Sequence, residues 1–409
     1  INIKRSPLCG RNFEYYSEDP YLAGQLGAAF TEGVQSRHVG VSVKHFAANN
    51  QEERRMSVSA EIDERTLREI YLAAFEQVVR QAKPWTVMCS YNRINGEYVS
   101  QSPRLLTEIL RKEWGFDGYV VTDWGACDDR VAGLIAGQDL EMPGSGGVND
   151  AEIVQAVRDG RLKESVLDTA VERILRISQR FLENRDPHAV FDRDRDHELA
   201  FDIACQSMVL LKNERKVLPL DGRQKVAFLG AFAKTPRYQG SGSSHINAHR
   251  VVGALEAAKQ QGFSVSYAPG YRPDSDVPDK ALIAGAVEAA KCADVAVVFV
   301  GLPESYESEG NDRIHMRMPE SHNALIEAVA AVQPHCVVVL QNGSPVEMPW
   351  IDKAEAVLES YLGGEAVGEA QVDLLYGSAN PSGKLAETFP LRLQDSPSYL
   401  NFPGYGDRV

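Results

Sequence analysis

"YVVTDWGACDD", residues 119–129, runs a hydrophobic strand pattern directly into an acidic side chain. Four residues with β-forming character are followed by Asp123, and the indole of Trp124 comes next. Moving a carboxylate out of water is costly unless the group is paired or used chemically. The stretch therefore marks Asp123 as either a satisfied structural acid or a member of a functional site.

Similar strand-like runs recur between residue 1 and about residue 183, where they alternate with helix-like segments. The predicted strands are "INIKR", "VGVSVKHF", "WTVMCSYN", "GYVVTDW" and "QDLEMPG". Helices are predicted over 62–82 and 103–114, the second with Ser102 as its cap and Pro103 in its first turn. Strand followed by helix, repeated, predicts parallel strands joined by crossover helices.

Four of these five runs end in polar groups, which are Arg5, Lys44 with His45, Tyr91 with Asn92, and Asp123 with Trp124. In a (β/α)8 barrel, the reactive side chains collect at the C-terminal ends of the strands. Residues 1–183 are therefore predicted to form part of a TIM-type barrel with these groups at one mouth. Eight strands close such a barrel and this region supplies about five, so we expect the remainder to lie upstream of Ile1 or to come from a second chain.

A second domain is predicted over residues 224–409, after a linker and connecting helix at 184–223. The linker contains the charged stretch "ENRDPHAVFDRDRDHE", a helix near 196–211 and the turn-like "NERKVLPLDG". Beyond it, strand runs alternate again with helices near 250–261, 278–291, 319–332 and 365–376. The fold class is thus α/β, with the partial barrel followed by an α/β sandwich whose ligands would meet loops at the strand C-termini.

Charge and composition exclude several classes of function. A net charge of −14 and a pI near 5.2 argue against a nucleic-acid binder, which needs a basic face. No run of about 20 apolar residues is present to cross a membrane. The six cysteines are scattered without metal-ligand spacing, which favours free thiols in a reducing compartment, and no metal or cofactor is implied. The chain is therefore predicted to be cytoplasmic.

The second domain supplies further acids in "VGLPESYESEGNDRIHMRMP", residues 300–319. Charge runs of this kind are usually solvated surface. The alternative is that one acid works with the barrel: glycosidic bond cleavage requires two carboxyl groups, one ionised and one able to hold a proton.

Sugar recognition also needs many hydrogen-bond donors and an aromatic face, and these types are supplied by Arg5, Lys44, His45, Arg55 and Trp124. The glycine-rich "YQGSGSSHIN" lacks the lysine of a phosphate-binding loop, so we interpret it as a loop near the site. A Schiff-base aldolase using Lys44 is a weaker alternative, because it leaves the second domain unexplained.

Seven segments, in this order, resemble glycoside hydrolase family 3 and specifically its β-glucosidases. They are "VKHFAANNQEERR", "VMCSYNRING", "GFDGYVVTDWGA", "AGQDLEMPG", "QGSGSSHIN", "ESYESEGNDR" and "NPSGKLAETFP". The resemblance covers nearly the whole chain. Relatives extend further at both ends, and their upstream part carries another sugar-binding aspartate. The resemblance implies that the substrate is a small β-glucoside or oligosaccharide. It also implies that a second chain completes the fold or that the protein is a homodimer.

The resemblance also implies roles for individual residues. Asp123 would be the nucleophile of a retaining mechanism, and Glu309 the acid/base, with Glu307 as its nearest competitor. Lys44 and His45 would hold glucose hydroxyls. Further substrate-binding positions would be Arg5, Arg55, Tyr91 and Trp124. Such a mechanism needs the two carboxyls about 5 to 5.5 Å apart.

Three alternatives remain open at this point. A β-xylosidase of the same family would differ in whether the pocket accepts a hydroxymethyl group. The N-acetylglucosaminidase branch carries "KHFPGHG" where this chain has "KHFAANN". A sugar-binding protein without turnover would need neither carboxyl group.

Overall fold

The computed structural model describes all residues from 1 to 409 and divides them into two compact units. The first unit contains residues 1–9, 15–189 and 397–409, and the second contains 10–14 and 190–396. Among all the helices, none combines the length and the apolar character that crossing a membrane requires.

Three parallel strands in the order β1-β3-β6 form the centre of the first unit. Its strands are β1 (Ser42–Phe46), β2 (Ser59–Ala60), β3 (Thr86–Cys89), β4 (Arg93–Ile94), β5 (Glu97–Tyr98) and β6 (Tyr119–Thr122). In register, Val87 of β3 lies between Val43 of β1 and Val120 of β6. A single parallel bridge from Val121 to Leu140 continues the sheet beyond β6.

Helices connect these strands and cover the sheet, as expected for crossover connections. They are α1 (Pro20–Gln35), α2 (Glu64–Thr66), a π-helical segment (Leu67–Tyr71), α3 (Ala73–Ala82), a second π-helical segment (Arg104–Glu113), α4 (Arg130–Ala136), α5 (Val148–Arg158) and α6 (Glu164–Asn184). Phe46 of β1 packs edge-on against Phe75 and Trp114, with ring centroids 5.3 and 5.9 Å away. Aromatic pairs of this geometry stabilise the packing of helices on the sheet.

The predicted strand at residues 1–5 is not formed. Its place beside β1 is taken by side-chain bonding: Asn2 Nδ2 donates to the His45 carbonyl at 3.0 Å, and Asn2 Oδ1 accepts from the His45 N–H at 3.0 Å. An asparagine side chain can satisfy backbone groups in this way without a regular ladder. Of the five predicted runs, three are strands, and the fifth contributes only the bridge at Leu140.

The second unit is a six-stranded sheet in the order β7-β12-β11-β10-β8-β9, with β7 antiparallel and the others parallel. Its strands are β7 (Val209–Asn213), β8 (Val226–Leu229), β9 (Val265–Ala268), β10 (Val295–Gly301), β11 (Cys336–Gln341) and β12 (Ala356–Glu359). Its helices are α7 (Arg193–Ser207), α8 (Ala254–Gln260), α9 (Lys280–Lys291), α10 (Glu320–Ala330) and α11 (Val367–Tyr376). Every residue of β10 is buried, as expected for a parallel sheet covered on both faces.

The structure differs from the predicted linker at 184–223. Most of that stretch belongs to the second unit, because β7 pairs with β12 and α7 packs on α11. The His197 ring of α7 lies 2.8 Å from Glu365 and 2.6 Å from Glu369, which fixes the helix there. The predicted domain 224–409 also differs, since residues 397–409 return to the first unit and pair with Ser59.

Asp139 ties three parts of the first unit together and provides a test of its packing. Its buried carboxylate accepts from the Val120 N–H at 2.7 Å, from Arg111 at 2.6 Å and from Arg173 at 2.9 Å. We predict that Asp139→Ala lowers the free energy of unfolding by about 3–5 kcal/mol, because it leaves the partly buried arginines without their anion. Urea denaturation followed by circular dichroism measures this change.

Asp117→Ala is the matched control, since the Asp117 side chain is 62% exposed and lies 3.9 Å from Arg180. Loss of such a surface pair costs about 0–1 kcal/mol. Equal effects of the two substitutions would show that Asp139 does not hold these elements together.

Candidate active site

Asp123 follows β6 and has its carboxylate held in one orientation. Its Oδ1 accepts from the Tyr91 hydroxyl at 3.0 Å and from the Trp124 N–H at 2.8 Å. Its Oδ2 accepts no hydrogen bond and lies 3.4 Å from His45 Nε2. The residue is 7% exposed. A buried carboxylate oxygen that accepts no hydrogen bond is available to bind or attack another atom.

Strand register brings these residues to the same edge of the sheet. The Asp123 N–H donates to the Cys89 carbonyl at the end of β3, and the Ser90 N–H donates to the Phe46 carbonyl at the end of β1. Parallel strands end on the same side, so residues just beyond each end become neighbours. The structure therefore brings together His45, Tyr91 and Asp123, as the sequence predicts.

A second layer supports Tyr91. The Arg55 guanidinium lies over the Tyr91 ring, 4.6 Å from its centroid, and donates to Glu52 at 2.7 Å. The ring is buried, so its hydroxyl is directed by packing as well as by its bond to Asp123. Arg55 thus belongs to the same cluster, in contact with Tyr91 rather than with the Asp123 carboxylate.

Lys44 and Trp124 lie next to this cluster in the chain and are more open. The Trp124 side chain is 54% exposed, which leaves an aromatic face available beside Asp123. Lys44 is partly exposed, and its ammonium makes no hydrogen bond or ion pair within the chain. An exposed indole and an uncommitted ammonium are suited to contact a polar ligand with an apolar face.

Arg5 is placed elsewhere in the first unit. It lines a cavity of about 490 Å³ together with Tyr71 and Asn401, and its Nη2 lies 3.4 Å from the Asn401 carbonyl. Burial raises the pKa of the Tyr71 hydroxyl, and the nearby Arg5 opposes that rise. Arg5 makes no contact with the Asp123 carboxylate, so its part in substrate binding stays a prediction.

Glu309 lies in the second unit, at the tip of a tight turn after β10. Ser308 and Asn311 form an antiparallel bridge, and Gly310 between them has φ +85°, a conformation that favours glycine. Glu309 Oε2 accepts from the Ser243 N–H at 2.9 Å. The predicted glycine-rich loop thus packs directly on Glu309.

Arg11 is a residue that the sequence analysis did not select. It is 1% exposed, bonds to Glu14 through Nε, and has Nη1 3.7 Å from Glu309 Oε1. The segment "RSPLCGRNFE" contains two arginines, and only the first was chosen. The residue type that could have marked the second is Gly10 beside it. A Cβ at this position would lie 1.7 Å from the Asn311 carbonyl oxygen, so only glycine permits this close approach to the Glu309 turn.

Glu307 and Glu309 have clearly different environments. Glu307 is 1% exposed and accepts from the Gly343 N–H at 3.0 Å and from the Ser344 hydroxyl at 2.7 Å. The Glu309 side chain is 16% exposed. Glu307 is thus committed to internal hydrogen bonds, whereas the Glu309 carboxyl is partly exposed and contacts Ser243 and Arg11. No group of three or more His, Cys, Asp or Glu side chains could hold a metal ion.

Comparisons with known families cover almost the whole chain. Residues 1–177 match the Glycosyl hydrolase family 3 N terminal domain, and residues 208–408 match the Glycosyl hydrolase family 3 C-terminal domain. The probable β-glucosidase I of Emericella nidulans is 30% identical over 576 residues, which span 100% of this chain and 69% of that protein.

Higher identities occur with bacterial proteins. Thermostable β-glucosidase B of Acetivibrio thermocellus is 60% identical, over 100% of this chain and 54% of that protein. The exo-α-(1→6)-L-arabinopyranosidase of Bifidobacterium longum is 49% identical, over 100% of this chain and 56% of that protein. A crystal structure of a GH3 β-glucosidase from Bifidobacterium adolescentis superposes with a TM-score of 0.97 at 49% identity, over 100% of this chain and 60% of that one. The chain thus spans about half the length of the curated relatives that it matches at these identities.

Gly242 tests how closely the glycine-rich loop packs on the Glu309 turn. It has φ +77°, and a Cβ there would lie 2.5 Å from Glu309 Cβ. We predict that Gly242→Ala lowers the stability of the second unit by about 1–3 kcal/mol, from backbone strain and steric overlap. Hydrogen exchange of peptides from β10 and β11, the central strands of the second unit, measures this change, since their amides exchange faster when the unit is less stable.

Gly285→Ala provides the comparison within α9, where a Cβ meets nothing within 4 Å. Alanine in a helix interior is expected to stabilise by about 0.5–1 kcal/mol. A Gly242→Ala protein as stable as the unaltered one would mean that the loop moves without cost.

Proposed function

Because this chain belongs to glycosyl hydrolase family 3, we propose that the protein is a retaining β-glucosidase that releases terminal β-D-glucosyl residues from short glucosides. Three of the relatives compared above carry β-glucosidase names, and the identity reaches 60% for one of them. The main structural support for the proposal is the Asp123 carboxylate, which has one oxygen hydrogen-bonded and the other without a donor.

Asp123 is proposed as the nucleophile. Two donors fix the orientation of its Oδ1, while Oδ2 has no hydrogen bond to give up before it reacts. Oδ2 attacks the anomeric carbon, the bond to the leaving oxygen breaks, and a covalent glucosyl ester forms. Both electrons of the broken bond go to the leaving oxygen, which must then gain a proton.

Glu309 is proposed to supply that proton. In the second step the same carboxylate accepts a proton from water, and the resulting hydroxide equivalent attacks the anomeric carbon and frees Asp123. Two inversions at one carbon give net retention. The accessibility of Glu309 and the internal bonding of Glu307 support this choice between the two acids.

Substrate binding is proposed for side chains around Asp123. His45 and Lys44 offer polar contacts to sugar hydroxyls, Tyr91 and Arg55 hold the nucleophile's surroundings, and the exposed face of Trp124 suits the apolar side of a sugar ring. Arg5 is retained as a proposed binding residue from the sequence resemblance alone.

A second candidate is an α-L-arabinopyranosidase, because a protein with that name is 49% identical over the whole chain. An α-L-arabinopyranoside has the anomeric arrangement of a β-D-galactoside without the hydroxymethyl group. It therefore differs from a β-glucoside at two ring positions while using the same displacement chemistry.

Trapping the intermediate tests the nucleophile. We predict that a 2-deoxy-2-fluoro-β-glucoside with a good leaving group labels the folded protein, and that peptide mass spectrometry finds the sugar on Asp123. Asp123→Asn should remove the label and lower kcat by at least about 10³-fold, as for other essential nucleophiles.

Asp128→Asn is the matched control, because Asp128 lies in the same peptide region, is exposed and bonds to Gln101 at 3.2 Å. It should label normally. A label on another carboxylate would contradict the assignment, and glucose binding without any turnover would indicate a sugar-binding protein.

A panel of aryl glycosides tests the substrate. We predict that kcat/KM for the β-glucoside exceeds that for the β-xyloside by about 10- to 200-fold, the range expected for one substituent in a fitted pocket. For the α-L-arabinopyranoside, which differs at two ring positions, the loss should be at least as large. The N-acetyl-β-glucosaminide should be hydrolysed slowest. Preference for the arabinopyranoside would favour the second candidate, and preference for the xyloside would indicate a β-xylosidase.

A further inference from the structure

The turn that carries Glu309 stands on two buried residues of opposite charge. Glu307 precedes the turn and is 1% exposed, and Arg313 follows it and is 6% exposed. Between them, the bridge from Ser308 to Asn311 closes the turn. The position of the Glu309 carboxyl therefore depends on how these two ends are held.

Both ends are held by the same short loop after β11. The Ser344 hydroxyl donates to Glu307 Oε1 at 2.7 Å and accepts from Arg313 Nη1 at 2.9 Å. The Gly343 N–H donates to both Glu307 oxygens at 3.0 Å, and Arg313 Nη1 also donates to the Pro345 carbonyl at 2.8 Å. The buried Ser344 hydroxyl thus links Glu307, before the turn, to Arg313, after it.

The two ends of the turn are held by charged hydrogen bonds, in addition to side-chain packing. Hydrogen bonds to charged groups are shorter and stronger than bonds between neutral groups, and they are directional. The Arg237 guanidinium adds to the network, lying 3.5 Å from the Glu307 carbonyl. Gly310, at the tip of the turn, has the freest backbone of its residues, so the anchors at the ends limit how far the tip can move.

We propose that Glu307 is a positioning residue for Glu309, acting through Ser344 and Arg313 to keep the Glu309 carboxyl where it exchanges a proton with the leaving oxygen. The inference rests on the proposed function. Proton transfer requires heavy atoms about 2.6–3.2 Å apart, and a displacement of about 1 Å can cost about 10²-fold in rate. Glu307 itself exchanges no proton with the substrate.

The leaving group provides the test, since a misplaced acid slows departure of poor leaving groups most. We expect Glu307→Gln to lower kcat/KM for an alkyl β-glucoside by about 10- to 100-fold. For the 2,4-dinitrophenyl β-glucoside, which departs without protonation, we expect a loss below about 3-fold. Ser344→Ala, which keeps the Gly343 bond to Glu307, should show the same pattern more weakly.

Glu320→Gln is the matched control, because Glu320 is exposed at the start of α10 and the substitution makes the same charge change away from Ser344, Arg313 and Arg237. It should leave both substrates unaffected. Equal losses on the two substrates in Glu307→Gln and Ser344→Ala would overturn the proposal and leave Glu307 a structural role only.

Hydrogen exchange of the peptide covering residues 305–314 measures, without any substrate, whether Glu307 holds the turn in place. Exchange should be faster in Glu307→Gln than in Glu320→Gln, and unchanged exchange would overturn the anchoring. Glu309→Gln serves as the reference for the chemistry. If it lacks the leaving-group pattern, the proposed role of Glu309 fails, whereas the exchange measurement still decides whether Glu307 holds the turn.

Discussion

Parallel strand register is the constraint on which the candidate site depends. Because β1, β3 and β6 end on the same side, His45, Tyr91 and Asp123 meet without any long-range loop. The helices packed around Phe46 exclude water from the sheet behind them. A buried carboxyl group there needs hydrogen-bond partners, and Tyr91 and Trp124 donate to one oxygen of Asp123. In the second unit, Glu307 and Glu309 likewise lie in the loop that follows a parallel strand, β10.

Much of this could be predicted from the sequence, because hydrophobic runs that end in polar residues mark both strands and their functional edge. The five parallel strands of the second unit and the cluster around Asp123 follow from that pattern. The antiparallel strand β7 was missed because its residues continue a helical pattern, and only pairing with β12 makes them a strand. Residues 1–5 look β-forming, but the side chain of Asn2 satisfies the neighbouring backbone instead.

Choices between like residues are harder to predict, because they depend on contacts far apart in the chain. Arg5 and Arg11 lie in one segment, yet only Arg11 lies near Glu309, while Arg5 lines a separate cavity. Glu307 and Glu309 are two residues apart, and the difference between them comes from Gly343 and Ser344 on another strand's loop. Such distinctions are matters of tertiary hydrogen bonding, for which local sequence carries little signal.

The return of residues 397–409 to Ser59 has a consequence for how the chain acquires its structure. The first unit contains segments made before and after the whole of the second, and the second in turn includes residues 10–14. During synthesis, therefore, β2 can pair with β4, but its backbone bonds to residues 407–409 must wait until the last helix of the second unit has been made. A chain cut between residues 189 and 190 would give an N-terminal half that lacks residues 397–409 and a C-terminal half that lacks residues 10–14. Neither half would therefore contain a complete unit.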